Sequence, residues 1–135
     1  MDKVNLHIHS TQQLNTECDV IVQDVSAKIK YIGKSIYIIQ EAEDIKTTYK
    51  ISPERLLVKR SGEIEHMQEF IVGKRYSSQY INTGMMFNID TVTNKLFVKN
   101  ENNELVIYLE YSLYINETLQ GITKMTITVT ERIEH

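Results

Sequence analysis

From Lys3 to Ile133, apolar and polar residues trade places with a period of two, and turn residues interrupt the runs roughly every eight to twelve positions. Successive side chains on a strand point to opposite faces, so such a chain can bury one face of a sheet and wet the other. No apolar stripe of helical spacing is sustained over several turns. A sheet face in this chain can therefore be covered only by another sheet face.

Val4, Leu6 and Ile8 alternate with polar residues and read as a first strand; residues 11–18 read as a polar loop. A second strand begins at Val20 and Val22. Its apolar positions then change parity, continuing at Val25, Ala27, Ile29 and Tyr31, as across a β-bulge. Gly33-Lys34 and Glu43-Asp44 read as turns on either side of a strand from Ser35 to Glu43. Lys46 to Ile51 follows. Ser52-Pro53-Glu54 could open a helix, but too few residues precede Ser61-Gly62, so it reads as a turn. Leu56–Arg60 and Glu63–Val72 pair across Ser61-Gly62. Strands then run from Arg75 to Ile81, Met85 to Asp90 and Lys95 to Lys99, with a bend at 91–94. The last two are Glu104–Ile115 and Leu119–Ile133.

Short sequential turns favour a meander, in which consecutive strands pair directly. A long meander leaves two open edges unless it closes on itself. The expected fold is all-β: one domain over residues 1–135, an antiparallel up-and-down meander closed into a β-barrel of about 8–10 strands.

Composition narrows the partners. The net charge is −3 and the isoelectric point about 5.8, which gives no reason to seek nucleic acid or an anionic membrane. No apolar run is long enough to span a bilayer. Residues 1–7 lack the basic and apolar regions of a secretion signal, and Cys18 is the single cysteine. The expected location is the cytoplasm, where the Asn116-Glu117-Thr118 sequon is a chance match.

Thr48-Tyr49-Lys50-Ile51, Lys59-Arg60-Ser61-Gly62, Phe70-Ile71-Val72-Gly73, Tyr80, Thr91 with Thr93, and Met125-Thr126-Ile127-Thr128 occur in an order and spacing that resemble the YwiB-like family. These are small proteins of Gram-positive bacteria with a domain of unknown function. The resemblance covers nearly the whole chain and implies a calycin-like, lipocalin-like barrel. It implies no reaction. One departure is local: Gly84 comes four residues after Tyr80, and Met85 holds the position where the family tends to place glycine.

A barrel of this size is either filled by side chains or holds one small ligand. On the last strand but one, Leu105, Ile107, Leu109, Tyr111, Leu113 and Ile115 form a core face. Val106, Tyr108, Glu110, Ser112 and Tyr114 form either a cavity wall or a wet outer face. Arg60 shares parity with Leu56 and Val58, so it faces inward if they do. A buried guanidinium needs a carboxylate or a bound anion. Glu41, on one face with Tyr37 and Ile39, is the candidate carboxylate. The expected ligand-binding set is Arg60, Tyr37, Glu41, Tyr80 and Tyr111, with Arg60 at the polar end of a small anionic or amphipathic molecule.

The alternatives are an Arg60 at the barrel rim, paired with a glutamate or reaching solvent, and a packed structural or protein-interaction barrel. His7 and His9 share a face but lack a third metal ligand; His66 would serve only if its strand lay alongside. His135 is terminal. Cys18 sits between Glu17 and Asp19, the wrong charges for a thiolate nucleophile. No nucleophile-and-base set, cofactor motif or metal site is expected, so an enzyme is the least favoured reading. A homodimer through an exposed edge strand stays open.

Overall fold

The computed structural model describes residues 2–131. The end of the last expected strand at Ile133, and His135, lie outside the described residues. Ten strands follow in order: β1 (Asp2–Leu14), β2 (Glu17–Ile32), β3 (Ser35–Glu41), β4 (Ile45–Ser52), β5 (Arg55–Gly62), β6 (Ile64–Phe70), β7 (Arg75–Asn82), β8 (Met85–Glu101), β9 (Glu104–Ile115) and β10 (Thr118–Glu131). Each pairs antiparallel with its sequence neighbours, and β10 returns to β1, closing the barrel. No helix of the described residues is long and apolar enough to cross a membrane.

The hairpins come where turn chemistry was expected, including the one at Pro53-Glu54 between β4 and β5. Three segments differ. Residues 11–14 and 17–18 are strand, because β1 and β2 form one long hairpin that turns at Asn15 and Thr16. Its register runs without interruption from Asp2–Ile29 to Leu14–Glu17, so there is no bulge between Val22 and Val25. The parity change has another cause: Val20 and Val22 point outward on a stretch of β2 that extends past β3 and stays exposed. The bend expected at 91–94 is a register shift between Thr93 and Lys95 within a continuous β8. A second shift falls between Leu119 and Gly121.

The interior is graded along the barrel axis. Toward the Pro53 end, Val4, Leu6, Ile29, Ile38, Ile51, Leu56, Phe70, Leu105, Ile107 and Val129 form a filled apolar core. Toward the Gly62 end, inward positions are occupied by Thr47, Arg60, His66, Gln68, Thr91, Thr93, Tyr111 and Thr123. The core face of β9 is the one with Leu105 and Tyr111. Its other face is outer wall, where Tyr114 lies beneath Arg75 and Tyr108 beside Phe97.

The wall is weakest between β6 and β7, which share only the register pairs Ile64–Asn82 and Glu65–Ile81. Side chains bridge the gap. Ser78 Oγ lies 3.2 Å from His66 Nε2, and Gln68 Nε2 donates to Thr91 Oγ1 at 3.2 Å.

Candidate functional site

The site lies at the border between the apolar and polar halves of the interior. Leu56, Val58 and Arg60 share the inner face of β5, because Leu56 and Val58 are buried and Arg60 is the next position of that parity. Arg60 is half-buried and pairs in register with Thr47 on β4 and His66 on β6. It lines a chamber of about 80 Å3 with Gln23, Tyr49, Gln68, Phe70 and Tyr111. Among the described residues, no carboxylate lies within ion-pair distance of its guanidinium.

The chamber walls suit an anion. Burial pushes the Tyr49 and Tyr111 hydroxyls above the usual tyrosine range, while the Arg60 charge pulls both back in part. Both phenols stay protonated at neutral pH and can donate. Tyr111 also bonds to the Thr123 hydroxyl, and its ring packs on Phe70 at 5.0 Å. Tyr80 reaches the same layer from β7, its ring edge-on to His66 at 5.3 Å.

Burial, and secondarily the nearby Arg60, lower the His66 pKa to about 4. The Ser78–His66 contact has the spacing of a nucleophile and its base. Its electrostatics are reversed, however. The charged neighbour in register with His66 is the Arg60 guanidinium rather than a carboxylate, and an imidazole with so low a pKa is a poor proton acceptor at neutral pH. We read the pair as a clip across the β6–β7 gap.

Of the expected ligand-binding residues, Arg60, Tyr80 and Tyr111 share the inner face. Tyr37 and Glu41 do not. In β3 the inward residues are Ile36 and Ile38, and Ile38 is 1% exposed. Tyr37 therefore points out, with the Lys50 ammonium 5.6 Å from its ring centroid. Glu41 is exposed on the same outer face, opposite Lys46, and borders a surface cleft with Lys3 and Lys28. It cannot neutralise Arg60. Tyr49, His66 and Gln68 are chamber and inner-layer residues absent from the set expected on sequence. The signal for them is parity: Tyr49 shares a face with Thr47 and Ile51, and Gln68 lies two before Phe70.

His7 bonds to Asp24 on the outer wall at 2.8 Å. His66 is inside, on a strand that does not adjoin β1. The three histidines therefore do not converge.

Residues 6–127 match the model of a domain of unknown function, DUF1934. The chain belongs to the DUF1934 family. A crystal structure of the YwiB protein from Bacillus subtilis superposes with a TM-score of 0.86 at 20% identity, covering 98% of this chain and 93% of that one. At that identity the likeness is one of fold. No curated protein matches the sequence.

Proposed function

We propose that this barrel is a calycin-like binding protein that takes a small oxyanion, or the carboxylate or phosphate head of a small molecule, against Arg60. The observation that carries this reading is the Arg60 guanidinium, inward-facing and half-buried, with no carboxylate in reach among the described residues. A desolvated cation without a partner is costly, and an anion supplies the missing half. Tyr49, Tyr111 and Gln68 add neutral donors around it.

Size limits the ligand. A volume of about 80 Å3 corresponds to two or three waters at roughly 30 Å3 each. It is well under the roughly 300 Å3 at which ordinary ligand pockets begin. The apolar half is filled, so no long tail fits inside. The head group enters at the polar end and the rest of the molecule stays at the rim. The exposed free thiol of Cys18 supports a reducing, cytoplasmic setting.

The filled apolar half also favours a second reading, a structural or interaction barrel whose interior only holds the wall in shape. Titration with inorganic phosphate, followed by amide NMR, separates the two. Saturable shifts at Thr47, His66 and Gln68 that vanish in Arg60→Gln support the binding reading. Equal shifts in both proteins, or none, favour the second.

A further inference from the structure

The barrel closes, yet part of β2 keeps an open edge. β2 pairs with β3 only from Lys28 to Ile32, whereas it pairs with β1 along nearly its whole length. Residues 17–25 therefore pair with β1 on one side and with no strand on the other among the described residues. An unpaired edge of this length is a template for another strand, and proteins usually blunt such edges with lysine, proline or a bulge. Here there is none of these. The centre of the edge is Val20-Ile21-Val22, 58%, 56% and 55% exposed. β-branched residues in a row favour strand pairing and, left in water, favour association.

We propose that this edge pairs with the same edge of a second copy, antiparallel, about a two-fold axis through Ile21. Apolar matching selects the occupant, and with charge it selects the register. The stretch carries Glu17, Asp19 and Asp24. An axis between Val20 and Ile21 sets Glu17 against Asp24, and one between Ile21 and Val22 sets Asp19 against Asp24; like charges directly opposite are destabilising. An axis through Ile21 sets Glu17 against Val25, Cys18 against Asp24, and Asp19 against Gln23. No acid then faces an acid. Axes through Val20 or Val22 also keep the acids apart, but only an axis through Ile21 sets Val20, Ile21 and Val22 all against apolar residues. This register overlaps all of residues 17–25, places Ile21 opposite its own copy, and places Val20 opposite Val22 twice. Asp24 is further relieved by His7 at 2.8 Å. The edge is thus self-complementary, as a two-fold interface requires. The edge meets the Arg60 chamber only at Gln23, and either proposal can fail alone.

Sedimentation velocity over a range of concentrations tests the dimer. Wild type should dimerise. A chain carrying both Val20→Lys and Val22→Lys should weaken the dimer by about tenfold or more, with its melting temperature otherwise retained. A chain carrying Val20→Glu and Val22→Glu should behave alike, and mixing the two chains should restore a dimer, which a merely misfolded variant would not do. Disulfide trapping tests the register. In a Cys18→Ser background, Ile21→Cys should cross-link readily. Native Cys18 should not, because the two copies of it would be six residues apart along the strands, about 20 Å. A monomer at every concentration overturns the proposal, as does a dimer unaffected by the charged variants. Trapping through Cys18 but not through Ile21→Cys overturns the register.

Discussion

Arg60 on β5 and His66 on β6 stand directly opposite one another on the inner face of the barrel, with no carboxylate between them among the described residues. Two groups able to carry positive charge thus meet in a half-buried layer. The fold resolves the conflict by keeping the imidazole neutral: its pKa falls to about 4 through burial and through the Arg60 charge.

This makes stability depend on pH in a defined window. His66 titrates near 6.5 in the unfolded chain and about 4 in the folded one. Between those values the unfolded chain binds the extra proton, so stability is complete above about 6.5 and falls as the pH drops toward 4. Urea midpoints measured across this range should decline for wild type. His66→Gln, which can still bond to Ser78, should flatten the decline. Asp90 acts in a lower window. The Ser77 hydroxyl and Arg75 hold its carboxyl below the usual range, so its contribution is lost only as the pH falls through and below that of an ordinary carboxylate.

Thr93 is 1% exposed, and its Oγ1 has no hydrogen-bond partner among the described residues. A buried hydroxyl left unpaired costs about 1–3 kcal/mol. Thr93→Val keeps the shape and removes the group, so it should stabilise the barrel by about 1 kcal/mol in denaturant unfolding. A destabilised variant would show that the hydroxyl has a partner after all.

Gly62 ends β5 with φ +117°, and a Cβ there would run into the Asp44 carbonyl oxygen. Gly62→Ala should cost about 2 kcal/mol or more, since both strain and overlap oppose it. Gly33 has φ +59° with open space around it. Gly33→Ala should cost only about 1–2 kcal/mol, the left-handed backbone penalty alone. Urea unfolding of the two variants gives the comparison.

Alternation by itself made the meander, its closure and the inward set of β9 legible. It also tied Arg60 to Leu56 and Val58 on one face of β5, so that Arg60 faces inward once those two are seen to be core, while a place at the rim stayed open. The same reasoning failed on β3. There isoleucine occupies both faces, as Ile38 and Ile39, so shared parity between Tyr37 and Glu41 could not say which face was in. It failed again on β2, where Val20 and Val22 are exposed although their chemistry favours burial. A parity change then looked like a bulge rather than like an edge that leaves the barrel. The His66–Ser78 clip was invisible because it depends on β6 and β7 parting, a property of strand geometry and not of pattern.

If Arg60 holds an anion, phosphate must stabilise the folded barrel, and thermal melting in phosphate at constant ionic strength reads that out. A ligand that binds only the folded state raises stability as RT ln(1 + [L]/Kd). Wild type should melt progressively higher as phosphate rises. Arg60→Gln should show no such rise, while Tyr37→Ala on the outer wall should respond as wild type does. Equal responses in wild type and Arg60→Gln, or a flat line in wild type, would show that the guanidinium is not an anion site.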